Sequence, residues 1–589
     1  MEHVAEGRRA SGSANGVDVA ILGSGIAGST LALILARAGL RVDLIDPVNH
    51  PRFALGESTI AATAFWMRLV AERHRVPELH TVASAAAINE KIAPTSGVKK
   101  HFGFVHHEPG SERVAHSWQV NIPGSRASLT GESHLFRQDV DAYLYHAALA
   151  AGVRGRIEAV NEVDIDADGV TLVASDGRRS RAALVVDAAG FRSPLAQKFG
   201  LREQPSRLKT RSRSVFTHML GVRPFDEIDV GHGFPKAWHS GTLHHVFDGG
   251  WIWVIPFDNH PSSRNPLCSV GLNLDMTRHP RREGVSPEAE WTEVMERYPM
   301  IRRQFDGAVA ARTWVSTDRL QYSSRKTVGD RFLVTAHAAG TIDALYSRGL
   351  LNTFQAVNVA ARLIKDAFRD GEFRRERFEP LERMEQNLLD VHDGLVYGAY
   401  AATADPRLLS VWLALWGLSE RLSVLHVLEP FKAYAAGDRS ALAFDDEAPE
   451  QCMRHYPAFR SLLDACVAIM VRFEAGEIGA EATLAALHRQ CAASRKPFWI
   501  DPRAAFPLGG FSPEQQRMRT RYHAWEGALI DLGRSLPLPR TGLARYGLEH
   551  YGGDAGRAVG FVLRSWQRVK SKAEGTRPPS SPPTQVSAP

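Results

Sequence analysis

Lys99 and Lys100 stand side by side in SGVKKHFGF (residues 96–104), at the mouth of an aromatic run that reads as a strand. Successive side chains of a strand point to opposite faces, so the two ammonium groups cannot share one environment. If the run lies over a core or a cavity, one lysine goes to water and the other turns inward. An inward lysine is costly unless it is paired or used, and desolvation lowers its pKa until the neutral amine becomes available for chemistry. A second set of residues binds rather than reacts: Gly23-Ser-Gly25-Ile26-Ala27-Gly28, followed by Asp46. In such a turn the first glycine allows the bend, the second lets a pyrophosphate approach the backbone, and the third lets helix and strand pack closely. An acid 18 residues after Gly28 is placed to bond a ribose hydroxyl.

These residues need particular elements to hold them. VDVAIL (17–22) is the continuous apolar run of a buried parallel strand. The glycines lead into a helix, STLALILARAG, closed by Gly39, and VDLID (42–46) is the next strand. The N-terminus of that helix offers N–H groups and a positive dipole end. HPRFALGEST (50–59), LVVDAAGFRSPLA (184–196) and GDRFLVTAHAAGTIDALYSRGL (329–350) return to the same unit, more than a nicotinamide dehydrogenase needs. GGWIWVIPFDN alternates like a strand with Trp251 and Trp253 on one face, which taken alone is ordinary core. Beyond about residue 380 apolar residues recur at helical spacing and no motif appears. LLSVWLALWGL (408–418) is too short to span a bilayer and predicts a buried helix.

The bulk properties exclude several classes. A chain of 589 residues, 44% hydrophobic and 23% charged, is ordinary for a globular protein, and a net charge of +6 is small for that length. Its basic runs are short and mixed with acids, so no nucleic-acid partner is expected. Cys268, Cys452, Cys466 and Cys491 show no CxxC spacing, which leaves no disulfide framework or zinc site. His106-His107-Glu108 runs into the turn Pro109-Gly110, with its adjacent histidines on opposite faces, so no metal is expected. The polar start lacks a signal peptide, and a soluble cytoplasmic protein with no membrane partner is expected. Residues 1–16 and the Pro/Ser-rich 571–589 read as disordered tails.

The three returns to one nucleotide unit resemble the FAD-dependent aromatic-hydroxylase superfamily. The WxWxIP run over Trp251, Trp253, Ile255 and Pro256 resembles the signature of flavin-dependent halogenases. HPRFALGES, KKHFGF, SHLFRQDVDAYL, RSRSVFTHMLGV and YSRGL extend that resemblance over at least residues 17–380. They are most similar to the monodechloroaminopyrrolnitrin halogenases and the halogenases of peptide hydroxyphenylglycines. The resemblance implies an α/β fold: a Rossmann-type FAD-binding module (17–380) with an inserted substrate sheet (about 90–130 and 205–325), then a helical region (381–570). It implies FAD held by the glycine turn, Asp46, Gly56-Glu57-Ser58, Arg137 near the phosphates or ribose, Asp187 with Gly190, and Asp343 beside the ribityl chain. Arg137 reads equally well as a surface arginine at a helix start.

By the same resemblance, FADH2, O2 and chloride yield hypochlorous acid. Lys99 passes its chlorine to an electron-rich ring, a phenol or pyrrole, in natural-product biosynthesis, while Lys100 keeps to the other face. Trp251, Trp253, Ile255 and Pro256 fence flavin from substrate, and Ser347, Arg348 and Gly349 lie by the halide. A separate NAD(P)H-dependent flavin reductase is implied, with a small aromatic substrate, free or bound to a carrier or peptide. TIDALYSRGL departs from the pattern: Thr341 and Ala344 replace phenylalanine and proline, and Tyr346 stands where tryptophan halogenases carry glutamate, which argues against free tryptophan. Two other readings remain, an FAD-dependent aromatic hydroxylase, which needs no Lys99, and a flavin-binding protein without catalysis.

Overall fold

Val17–Leu22 lies in the middle of a sheet whose other strands arrive from far along the chain. In the computed structural model, which describes residues 16–115, 118–123, 132–229, 236–435, 437–446 and 457–493, it pairs in parallel with Val42–Asp46 and with Arg179–Asp187. Phe332–Val334 joins the far side of Arg179–Asp187, and Arg154–Ile157 extends the other edge. Both faces of the central strand are covered. Val19 and Ile21 enter one apolar core, Ala20 and Leu22 another, as a two-residue period requires. The helix Ile26–Arg37 follows the glycine turn, and Gly39 takes the positive φ (88°) that ends it.

The second sheet is mostly antiparallel and runs in the order 309–310, Ser212–Leu220, Cys268–Asp275, Gly250–Pro256, Thr242–Phe247, His101–His106, Gln119–Pro123. Thr242–Phe247 pairs in parallel with His101–His106, which brings the lysine segment beside the tryptophan strand. Trp251, Trp253 and Ile255 all face the main core, while Ile252 and Val254 face a second core covered by the helices Pro287–Arg297 and Pro299–Phe305.

The helices Gly349–Asp370, Arg375–Ala402, Pro406–Ala435, Pro457–Glu474 and Ala480–Ala493 complete the described chain. The expected boundary at 380/381 falls inside Arg375–Ala402, which carries Pro380 without interruption. LLSVWLALWGL forms the first half of the long helix Pro406–Ala435, with Leu408, Trp412 and Trp416 buried. Gly398 is what lets the two helices approach, because a Cβ there would stand 2.0 Å from the Trp412 ring. Among the described residues no helix is long and apolar enough to cross a membrane. The expected tails at 1–16 (residue 16 apart) and 571–589, the stretch 494–570 and Cys452 lie outside the described residues.

Candidate active site

The two lysines part as the strand argument requires, although the backbone between them is irregular. The run breaks into Gly97–Val98 and His101–His106, with both lysines in the gap. Lys99 N donates to Glu132 O (2.8 Å) and Lys100 N to Ser240 O (2.8 Å), which holds the lysines between the two segments. Lys99 is 2% exposed and Lys100 is open to solvent. The Lys99 ammonium donates to Ser58 Oγ (2.8 Å), Thr59 O (3.0 Å) and Ser347 Oγ (3.2 Å), and sits 3.2 Å from the centre of the Phe102 ring. Among the described residues no carboxylate forms an ion pair with it. Burial pushes its pKa down to about 7, against the opposing pull of Glu132 and Glu420.

Ser58 and Ser347 come from segments built to deliver them. Gly56 has φ +88°, and the turn there places Glu57 and Ser58 in the interior. Ser58 Oγ is also bonded to Thr242 Oγ1 (3.0 Å). Glu57 Oε1 meets His218 Nε2 at 2.7 Å, both side chains being buried. Arg312 Nε–H donates to His218 Nδ1 (3.1 Å), so the proton resides on Nε2 and points at Glu57. Ser347 adopts φ +53°, a left-handed conformation uncommon outside glycine, and the loop thereby turns its hydroxyl onto the lysine.

The glycine turn fits a dinucleotide. A Cβ on Gly23 would meet Ala189 Cα at 2.6 Å, and one on Gly28 would meet Gly23 O at 1.9 Å, whereas nothing lies within 4 Å of the same position on Gly25. The first and third glycines answer to close packing and the second to open space, where a pyrophosphate belongs. Ile26 and Ala27 begin the helix behind it. Asp46 accepts from Ser24 N (2.7 Å), Val48 N (3.0 Å) and Arg52. Burial works against its charge, yet those hydrogen bonds hold the carboxyl below its usual range. Gly56 and Ala344 are exposed and Gly25 and Ser347 half-buried, which marks the open face of the cleft.

Other expected cofactor residues act by positioning. The Arg137 guanidinium is bidentate to Asp141 (2.7 and 2.8 Å) and donates to Leu55 O (2.5 Å) and Gly56 O (3.1 Å). It is buried rather than on the surface, and it shapes the loop ahead of Ser58. Asp187 accepts from Ser193 Oγ (2.6 Å), Ala189 N (3.0 Å) and Leu195 N (2.9 Å), and so clamps the turn at Gly190, whose φ is +70°. Asp343 accepts from Ser212 Oγ (2.5 Å), Tyr400 Oη (3.0 Å) and Leu345 N (3.0 Å). Burial pushes both carboxyls up.

The tryptophans belong to a wall beside Lys99. Trp251 Nε1 donates to Tyr400 Oη (3.0 Å), which links it to Asp343, and Trp253 Nε1 donates to Ser269 Oγ (3.1 Å). Ile255 is buried with them, and Pro256 O is bonded to His134 Nδ1 (2.8 Å). Phe102, Phe104 and His244 stack in one layer, and His244 lies 5.4 Å from Trp251. From the opposite side Trp416 meets Phe102 edge-on (4.7 Å) and stacks on Tyr346 (4.8 Å). A small cavity in this wall is lined by Phe104, Trp251, Tyr346, Tyr400 and Leu413.

At the expected halide loop, Arg348 turns away into the Pro406–Ala435 helix, where it pairs with Glu420 and donates to Ser419 and Ser423 (both 3.3 Å). Ser347 N donates to Ala344 O (3.0 Å). What this loop offers an anion is the half-buried Gly349 at the start of Gly349–Asp370. Sequence reasoning missed Thr59, His218, Tyr400, Trp416 and Glu420. Only the Trp416–Glu420 spacing, one helical turn, was visible in the chain, and nothing there says which partner that face meets. Among the described residues no group of His, Cys, Asp and Glu could hold a metal, and His106 and His107 each bond other protein groups.

The FAD dependent oxidoreductase family matches residues 18–318. The monodechloroaminopyrrolnitrin halogenase PrnC of Pseudomonas fluorescens is 45% identical over 72% of this chain and 74% of its own length. Tetracycline 7-halogenase of Kitasatospora aureofaciens is 40% identical over 83% of this chain and 88% of its own. Among solved structures, halogenase PltM in complex with phloroglucinol and FAD superposes with a TM-score of 0.77 at 32% identity, covering 86% of this chain and 99% of that one.

Proposed function

The chain belongs to the FAD-dependent oxidoreductases and, among them, to the flavin-dependent halogenases, and from that premise we propose that Lys99 is the amine that delivers electrophilic chlorine to an electron-rich ring. The carrying observation is the Lys99 ammonium, buried against Ser58, Thr59 and Ser347 with no carboxylate paired to it. FAD is the cofactor, and when bound and reduced it supplies, with O2 and chloride, hypochlorous acid. The groups suited to hold it are the Gly23–Gly28 turn, Asp46 and the Gly56–Ser58 loop, with Asp187 and Arg137 shaping its walls.

Lys99 hydrogen-bonds the hypochlorous acid or accepts its chlorine, and a pKa near 7 keeps a large fraction of the amine neutral at neutral pH. Ser58 and Ser347 fix Nζ, and Trp251, Trp253 and Ile255 separate ring from flavin. The names of the relatives point to phenol and pyrrole substrates, small and free or carried on a peptidyl-carrier protein. Reduced flavin comes from a separate NAD(P)H-dependent reductase.

Purified protein given FAD, a flavin reductase with NADH, chloride and a panel of phenols and pyrroles should show hydrogen replaced by chlorine in the mass spectrum. An added oxygen instead would favour a hydroxylase. Lys99→Ala should abolish chlorination and leave FAD bound, whereas Lys100→Ala should keep most of it. The reverse pattern would shift the catalytic role to Lys100. Photochemically reduced FAD should replace the reductase in this assay, because reduction precedes and is separable from the lysine's work. Dependence on one particular reductase protein would contradict that.

A further inference from the structure

Glu420, on the helix Pro406–Ala435, is one of two carboxylates whose charge reaches Lys99. One turn earlier on the same face, Trp416 packs on Phe102 and Tyr346, which places this side of the helix against the wall around Lys99. Arg348 is the only ion-pair partner of Glu420 among the described residues, and it follows directly on Ser347, whose hydroxyl takes a hydrogen bond from Lys99. The Glu420 side chain keeps 17% of its surface open. Beside it, the Trp416 indole N–H lies against the Glu420 carboxyl, and the Tyr346 hydroxyl is buried without a hydrogen-bond partner among the described residues. Glu132, the other carboxylate whose field reaches Lys99, is 3% exposed and already engaged.

Building on the role proposed for Lys99, we infer that Glu420 accepts the proton displaced from the ring carbon as chlorine is transferred. The ring π pair forms the C–Cl bond while the O–Cl bond of hypochlorous acid breaks. The departing hydroxide takes a proton from the Lys99 ammonium and leaves as water. The C–H bonding pair returns to the ring as its proton passes to the Glu420 carboxylate, and transfer of that proton back to Lys99 through water resets both groups. The net change is Ar–H and HOCl to Ar–Cl and water. Arg348 and the Trp416 N–H position the carboxylate, and the Tyr346 O–H is placed to bond a polar group of the substrate. Burial pushes the Glu420 carboxyl up against the opposing charges of Arg348 and Lys99, which makes it a stronger base than a surface carboxylate.

The fate of the ring hydrogen tests this. Wild type, Glu420→Gln and Glu420→Asp are given reduced FAD, O2, chloride and phenol, phloroglucinol or 3-phenylpyrrole, and each chlorinated probe is repeated with ring deuterium. Glutamine keeps an oxygen for Arg348, and FAD binding and thermal melting report on the fold. The expected result is chlorination slowed by about 100-fold or more, with FAD binding retained, a primary hydrogen/deuterium isotope effect absent from wild type, and partial recovery with aspartate. If the glutamine variant does not fold, the aspartate variant carries the same isotope readout. Chlorination at the wild-type rate, or slowing without an isotope effect, overturns the role of Glu420 and leaves that of Lys99 standing. Wild type that chlorinates none of the probes overturns the Lys99 reading and this inference with it.

Discussion

At the scale of a residue, the decisive property is the mismatch between Lys99 and its surroundings. Free lysine titrates at 10.5, and burial brings Lys99 to about 7. Between those values the unfolded chain holds a proton that the folded chain has lost, so this group's contribution to stability rises with pH across that window. Below it the fold must bury a cation that no described carboxylate meets in a direct ion pair, and the cost is complete. Lys99→Met removes that cost and also three hydrogen bonds, which oppose the gain by about 1 kcal/mol each. The variant is therefore expected to gain about 1–3 kcal/mol at pH 6 while losing all chlorination, with the gain shrinking towards pH 10. Urea melts of both proteins across that range measure it. A gain independent of pH would mean that Lys99 titrates as an ordinary lysine.

At the scale of an element, flat aromatic rings depend on glycines that the chain places opposite them. The Trp253 ring lies over Gly271 on the neighbouring strand, where a Cβ would stand 2.0 Å from the ring atoms. Gly271→Ala should cost about 1–3 kcal/mol through overpacking and should tilt Trp253 out of the wall. Chlorination should then fall while reduced flavin is consumed at an undiminished rate, as flavin oxidation compared with product yield would show; an unchanged ratio would remove Trp253 from the barrier. Elements of this kind were the most legible part of the chain. The glycine turn, its flanking strands and the two-residue alternation of Trp251, Trp253 and Ile255 follow from local periodicity, and so does the opposite fate of Lys99 and Lys100. The partners were not legible. Arg137 carries Asp141 at helical spacing, a visible pairing, but the loop carbonyls it also holds depend on tertiary approach. Asp343 is held by Tyr400 and Ser212, partners that no local spacing announces. The helical region gave periodicity without destination, since a surface that covers a site has the same pattern as one that covers a core.

At the scale of the molecule, three parts of the chain close around one amine. The flavin module brings Ser58, Thr59 and Ser347, the second sheet brings Lys99, Phe102 and Trp251, and the helical region brings Trp416 with Glu420. No part surrounds the Lys99 amine alone, so the containment proposed for a diffusible oxidant belongs to their assembly. Trp416 is the piece that seals it from the helical side, stacked on Tyr346 and edge-on to Phe102. Trp416→Leu keeps an apolar contact but opens that side. Truncating a buried tryptophan to alanine costs about 3–5 kcal/mol, and leucine should cost less, so the fold and its bound FAD are expected to survive. Flavin oxidation should continue at the wild-type rate, since the ring contacts of Trp416 are to Phe102, Phe104 and Tyr346 and none is to the dinucleotide turn. Product should fall, and monochlorodimedone in the bulk solution, which traps free hypochlorous acid, should lose absorbance faster than with wild type supplied with the same substrate. If product yield and trap signal both match wild type, the helical region plays no part in holding the oxidant, and the chamber is closed by the flavin module and the second sheet alone.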